Sequence, residues 1–284
     1  MSTPEINTSD ASTSRITTIA IGNEHIRVTI APTDGGRVAQ ITHDGFDLLI
    51  GHPADTSGSL TPGSSLAWGS YPMVPWAGRV RRGRFEFDRR TYQLIVNFEG
   101  HAIHGVGFES AWEIGSHDRT TAELTLHLPS NDAWPFGGSA HQRFEVIDNR
   151  VRMKLSVTAG DRPMPAMVGW HPWFVKPDAL TFTPTRMYIR DDDGMPTGEL
   201  VDVPDGPWDD CFLNTLPVIA RIGKRRLTLT SDCDHWVVFD QRAWATCVEP
   251  QSGPPDSFTL APHVLDSGET LAAWYDIEVT LLDD

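Results

Sequence analysis

Apolar and polar residues alternate with a period of two along much of the chain. Ile26-Arg27-Val28-Thr29-Ile30 shows the pattern first, and Pro32-Thr33-Asp34-Gly35-Gly36 interrupts it. The alternation returns over residues 122–128, 144–147, 151–157, 227–230 and 275–281. Successive side chains of a strand point to opposite faces, so this period predicts strands with one face buried. Arg84-Phe85-Glu86-Phe87 and Thr91-Tyr92-Gln93-Leu94 flank Asp88-Arg89-Arg90, which predicts a hairpin. No apolar period of 3.6 residues is sustained, so helices are expected to be few and short. Frequent punctuation by 24 Gly and 21 Pro completes the pattern of an all-β protein, an antiparallel β-sandwich. No linker or internal repeat is visible. Residues 16–284 are therefore read as a single β-sandwich domain behind a flexible Ser/Thr/Asp-rich leader at 1–15.

Composition narrows the function classes. The 284 residues are 39% hydrophobic and 21% charged, ordinary for a soluble globular protein with a sizeable core. The formal net charge of −15 opposes binding to nucleic acid or to an anionic membrane. It also gives no reason to expect a polyanionic substrate. Lysine occurs only at 154, 176 and 224, which leaves few candidates for Schiff-base chemistry. Three cysteines (Cys211, Cys233 and Cys247) with no CxxC spacing read as buried free thiols in a reducing compartment. The leader has no hydrophobic stretch, and no segment reaches the ~20 apolar residues that cross a bilayer. A cytoplasmic monomer or homodimer is expected.

The candidate chemistry lies in three segments. Thr246-Cys247-Val248 is an apolar strand that delivers Glu249, and Pro250-Gln251-Ser252-Gly253-Pro254-Pro255 follows, in which Pro250 is expected to end the strand. A carboxylate fixed beside a rigid loop suits a general base, whose position must be settled before its pKa matters. A solvated Glu before a turn is the plainer alternative. Gly100-His101-Ala102-Ile103-His104-Gly105 and Gly169-Trp170-His171-Pro172-Trp173-Phe174 each set histidine among Gly, Pro and aromatic residues. Histidine's ordinary pKa lies nearest physiological pH, so either ring suits a general acid, although a hydrogen-bonded structural role is the commoner use of such a residue. Two such histidines with an anchored Glu point to proton transfer.

These segments, together with Gly35-Gly36, Asn97, Trp134-Pro135-Phe136, and Trp208-Asp209-Asp210-Cys211-Phe212, occur in an order that resembles the aldose 1-epimerase (galactose mutarotase) family from about residue 20 onward. The resemblance implies a large β-supersandwich with its site in a cleft on the concave sheet. It implies interconversion of the α and β anomers of a free aldose, without cofactor or metal. Residue by residue, it casts Glu249 as base and His171 as acid, and His104 as a second histidine near the ring oxygen. Asp209 and Arg79 become the groups that hold sugar hydroxyls. Two positions depart from the family pattern. Gly78 stands where an asparagine usually contacts the sugar, and His101 stands where an asparagine usually precedes the Ala-Ile-His-Gly run, here expected to face solvent.

The same residues admit other readings. His101 and His104 form an H-x-x-H pair, but no helix or third ligand accompanies it, so no metal is expected. The run Arg79, Arg81, Arg82, Arg84, Arg89, Arg90 matches what a phosphate would need, or else forms a solvated hairpin face paired with Glu86 and Asp88. The second is expected, and with it a neutral monosaccharide rather than a hexose 6-phosphate. Trp68, Trp76, Trp170, Trp173 and Trp208 suit either sugar stacking or the core, about half of them each. A non-catalytic sugar-binding protein would tolerate loss of Glu249 or His171, and both are present. A two-carboxylate glycosidase is disfavoured because Asp209, its second candidate, lies in a segment resembling a binding loop.

Overall fold

The computed structural model describes residues 17–52 and 65–282, so the leader read at 1–15 lies outside the described residues. Two antiparallel sheets face each other across one apolar core. The larger has eleven strands. From its edge they run Ile19–Gly22, Ile26–Ala31, Arg37–His43, Ser70–Met73, Gly169–Val175, Ala245–Gln251, His235–Phe239, Asp209–Leu213, Arg186–Arg190 and Pro196–Val201, with Phe46–Asp47 paired to Arg37–His43. The smaller has eight. Their order is Glu113–His117, Thr121–His127, Ser139–Ile147, Arg150–Thr158, Thr270–Leu281, Arg225–Ser231, Val218–Ile222 and Ala179–Thr181. Among the described residues, the helical content is one α-helix, Ser257–Leu260, and two 3₁₀ turns. No helix among them is long and apolar enough to cross a membrane.

The period-two signal and the sheet agree where one face meets solvent. Thr121–His127, Ser139–Ile147 and Arg150–Thr158 alternate buried and partly exposed positions along their length. Their buried apolar residues, with those of Thr270–Leu281, Arg225–Ser231 and Val218–Ile222, form the small sheet's half of the core. The hairpin also forms, pairing Arg84–Phe87 with Arg90–Gln93. Its loop is the two residues Asp88 and Arg89, both at positive φ (46° and 60°), the primed geometry whose twist suits a tight hairpin.

The middle of the large sheet follows a different rule. Ser70–Met73 and Ala245–Gln251 are buried at every position, and Gly169–Val175 at every position but the last. One face of these strands packs on the core. The other floors a cleft roofed by the loops around Trp76–Arg79, Phe98–His104 and Pro254–Asp256. Pro250 does not end its strand, contrary to expectation. The pairing continues through Trp236↔Pro250 to His235↔Gln251, and on the other side Gly169↔Gln251 and Trp173↔Cys247 bracket it. That register sets His171 directly opposite Glu249. Pro172 and Pro250 each lack a ladder donor in this stretch, so side-chain packing and the flanking bridges hold it. From behind, the buried Tyr275 hydroxyl donates to the Val248 carbonyl at 3.2 Å, tying the small sheet to the strand that carries Glu249.

Candidate active site

The family-like segments, far apart in sequence, lock together around the cleft. The Arg79 carbonyl accepts the Asp256 amide (2.6 Å), and the Gly78 carbonyl accepts the His104 amide (2.9 Å). Gly78 has φ +63°, and a Cβ there would lie 2.8 Å from Pro255 Cβ. A side chain at this position would be strained by the backbone and would press on Pro255 of the Glu249 loop, so glycine fits here where the family pattern has asparagine. Asn97 serves the loop rather than the cleft: its Oδ1 accepts the Ile103 amide at 2.8 Å. His104 itself sits at φ +64° and Gly105 at +78°, with the Gly105 Cα so close to the Val74 backbone that a Cβ would fall 2.0 Å from its carbonyl. A non-glycine residue held in the left-handed region is a costly conformation that the surroundings must enforce.

Glu249, His171, His104, Arg79 and Asp209, the five site residues read from the sequence, all line this one pocket. Glu249 is 2% exposed, and its Oε1 lies 3.3 Å from His171 Nε2. Its Oε2 accepts a long bond from Gln251 Nε2 at 3.4 Å. The His171 ring is clamped on both faces, by Tyr71 (centroids 4.7 Å apart) and Trp173 (5.3 Å), and the His104 ring meets it edge-on at 4.9 Å. Two χ angles are thereby fixed without a hydrogen bond to Nδ1. Burial pushes the Glu249 carboxyl well above the usual carboxylate range, and the nearby Asp209 charge adds to the effect. Burial pushes His171 down to about 3, with the buried Arg37 guanidinium contributing. It also holds His104 well below the ordinary imidazole value, with His171 and Arg79 adding to the effect. Perturbed carboxyl and imidazole groups in contact inside a cleft are the usual mark of a reactive site.

At the other end of the pocket Arg190 bridges two carboxylates, reaching Asp209 Oδ2 at 3.1 Å and Asp210 Oδ1 at 2.8 Å. Burial raises the Asp209 pKa and Arg190 opposes it. Arg79 reaches Glu99 at 2.8 Å. Five buried polar atoms of pocket-lining residues have no hydrogen-bond partner among the described residues: His104 Nδ1, His171 Nδ1, Trp173 Nε1, Arg242 Nε and Gln251 Oε1. Buried polar groups are rarely left unpaired, so these atoms are points that a polar ligand or water in the pocket would satisfy.

Several expectations need correction. His101 does not face solvent: it is 5% exposed, and its Nδ1 accepts the Arg82 amide at 3.1 Å. The arginine run does not pair with Glu86 and Asp88. Arg81 instead reaches Asp191 (2.7 Å) and Asp193, and Arg82 also reaches Asp193, carboxylates about 110 residues away that only the fold brings near. Arg84, Arg89 and Arg90 are exposed as expected. Of the five tryptophans, Trp68, Trp76, Trp170 and Trp173 are buried, only Trp173 lines the pocket, and Trp208 lies outside it. The cysteines are buried and unpaired in disulfides. Ligand atoms of His171, Cys247 and Glu249 lie within 4.8 Å of one another, the one grouping among the described residues that a metal ion would find. Burial holds the Cys247 thiol well above its ordinary pKa, which makes it a poor ligand.

Tyr71, Tyr188, Arg190, Arg242 and Gln251 also line the pocket and are not among the site residues expected from the sequence. Gln251 was legible, since it follows Glu249 by two residues on one strand and so shares its face. Tyr188 and Arg190 follow the same spacing, but on a strand with no accompanying motif.

Comparison with known proteins agrees with this architecture. Among curated sequences the chain is 31% identical over 154 residues to the uncharacterized protein YphB of Escherichia coli, covering 52% of each. The chain spans about half the length of the curated relatives it matches. Among solved structures it superposes on a galactose mutarotase-like protein from Clostridium acetobutylicum with a TM-score of 0.82 at 16% identity, covering 93% of this chain and 95% of that one. It superposes on galactose 1-epimerase from Lactobacillus acidophilus with a TM-score of 0.79 at 18% identity, covering 98% of both. The sequence profile of the aldose 1-epimerase family matches residues 17–278, nearly the whole chain. With the fold shared and the profile matched over that span, the chain belongs to the aldose 1-epimerase family.

Proposed function

We propose that the protein is a mutarotase that opens and recloses the ring of a free aldose by acid–base catalysis, with Glu249 as base and His171 as acid. The observation that carries this reading is the buried Glu249–His171 pair, 3.3 Å apart on facing strands, in a cleft lined with unpartnered polar atoms. Ring opening removes a proton from the C1 hydroxyl, adds one to the ring oxygen and breaks the bond from C1 to that oxygen. The open aldehyde turns about its C1–C2 bond, and the reverse transfers close the other anomer. One proton shared by the pair suffices. When it resides on His171 the pair is base and acid at once, and a sugar that bridges them favours that form by hydrogen-bonding to both. Each positioned group of this kind contributes about 10² to 10⁴ in rate.

The shared proton gives a pH dependence. Burial opposes net charge in the cleft, so it moves addition of a second proton to lower pH and loss of the shared proton to higher pH, in the directions seen for His171 and Glu249. The value of kcat/KM is therefore expected to be flat between about pH 5 and 7, with no inflection near the ordinary histidine value of about 6.5. An inflection there that disappears in His171→Asn would contradict the shared-proton account.

A neutral aldose is the favoured substrate because Arg79 and Arg190 already have carboxylate partners. Arg79→Ala is expected to raise KM for neutral sugars roughly tenfold, the worth of a hydrogen bond from a charged donor. The exposed Arg84, Arg89 and Arg90 should be nearly silent on substitution. A second reading, a hexose 6-phosphate epimerase, draws on Arg242, a pocket arginine with no carboxylate within 4.0 Å among the described residues and a buried Nε without a partner. Polarimetry of freshly dissolved α-D-glucose, α-D-galactose and glucose 6-phosphate, with and without protein, separates the readings. Acceleration confined to the phosphate ester and falling steeply with salt would replace the neutral sugar, and no acceleration of any would leave a binding protein.

A further inference from the structure

We propose that Tyr188 is a hydroxyl-reading acceptor on the pocket wall, fixed in that role by His235 and Asp234. The proposal rests on the reading of the pocket as an aldose site and adds a specificity element to it. Tyr188 belongs to strand Arg186–Arg190 and lines the pocket together with Arg190. That strand pairs with Asp209–Leu213, whose other neighbour is His235–Phe239. Tyr188 and His235 therefore reach toward each other across the intervening strand. The Tyr188 hydroxyl lies 3.2 Å from His235 Nε2, and the rings stack with centroids 5.8 Å apart. On its other side, His235 Nδ1 lies 2.6 Å from Asp234 Oδ1.

With His235 neutral, the chain of donors has one direction. A carboxylate can only accept, so the proton of the neutral imidazole is on Nδ1, and Nε2 presents a lone pair. Tyr188 must then donate its only proton to His235. What its oxygen retains for a ligand is acceptor capacity alone. The phenol is not a nucleophile in this setting: burial raises its pKa, and neighbouring Cys211 and Asp234 act in the same direction. Its use is recognition.

The neighbouring pocket groups sharpen what is recognised. Arg190 can only donate. Tyr188 and Arg190 both line the pocket, and an acceptor-only oxygen with a donor-only guanidinium would together match a free hydroxyl, which donates to the first and accepts from the second. A deoxy position satisfies neither. An ether or ester at that position cannot donate to Tyr188 and leaves a half-buried acceptor without its partner. The pocket would thus demand an unsubstituted hydroxyl at one position of the sugar away from C1, and His235 and Asp234 are the positioning residues that enforce it.

The test is a coupling measurement. Turnover is followed for wild type, Tyr188→Phe and Asp234→Asn on a parent aldose and on its monodeoxy analogues, one for each non-anomeric hydroxyl. Wild type should lose about three- to tenfold in kcat/KM on one analogue through this contact. Tyr188→Phe should lose a similar factor on the parent sugar, through KM with kcat preserved, and lose nothing further on that one analogue. Asp234→Asn should raise KM for the parent sugar less, because the ring loses its fixed tautomer but not its place. A purely structural role would lower Tm and weaken every sugar alike, and that result, or an unchanged KM in Tyr188→Phe, would overturn the proposal. If wild type turned over no aldose, the mutarotase reading would fall. The same panel read by calorimetric Kd would then decide the Tyr188 contact by the same non-additivity.

Discussion

Glu249→Gln is expected to lower kcat by about 10² to 10⁴, while sugar affinity is largely kept. The amide is nearly isosteric and retains an oxygen for the His171 contact, but it cannot take the C1 hydroxyl proton. The same variant should be more stable than wild type. Burial raises the Glu249 pKa in the folded state above its unfolded value, so this carboxyl favours folding only at acidic pH, and that contribution is lost as pH rises. The Tm gain of the Gln variant should therefore be larger at pH 8 than at pH 5. A group at the centre of a cleft that destabilises its own fold exchanges stability for activity. A near-wild-type kcat in Glu249→Gln would remove Glu249 from the chemistry.

His171→Asn is expected to have the second largest effect, a fall in kcat of at least about 10². The substitution removes the acid and also opens the column in which Tyr71 and Trp173 enclose the ring. His171→Gln keeps more of the volume, and a similar loss in both variants would assign the effect to proton transfer rather than packing. His104→Asn should be damaging to a smaller degree, because His104 meets His171 edge-on and is not in contact with Glu249 by hydrogen bond or ion pair. If His104→Asn abolished turnover while His171→Asn were benign, the two roles would have to be exchanged.

How far the sequence carries differs between the sheet's rim and its centre. Strands with one solvated face announce themselves, because burial repeats every second residue along Thr121–His127 or Arg150–Thr158. The hairpin is equally legible, although its turn is two residues rather than three. The central strands carry no such period, since Ala245–Gln251 is enclosed on both faces, and only the unusual Pro/Gly/Trp composition of their neighbours drew attention to them. The loops that meet around the cleft were each visible as motifs. Their mutual contacts were not, because Asp256 to Arg79 and His104 to Gly78 are properties of the closed sheet. Ion pairing failed for the same reason: local carboxylates at Glu86 and Asp88 looked adequate for the arginine run, whereas the fold delivers Asp191 and Asp193 from across the chain. The exposure assigned to His101 failed because a ring between glycines looks free until a backbone amide, that of Arg82, is brought to it. Tyr188 and Arg190 lie on a strand that resembles any other, and only the pocket reveals them.

The central claim is that the Glu249–His171 pair moves protons to and from a bound aldose ring. The most direct test is magnetisation exchange between the two anomeric carbons of a ¹³C1-labelled aldose at equilibrium, followed by NMR with wild-type protein and with Glu249→Gln at concentrations that saturate the sugar site. The account predicts exchange in the presence of wild type that far exceeds the buffer rate, and exchange near the buffer rate with Glu249→Gln although the variant still binds the sugar. Equal acceleration by the two proteins would contradict it.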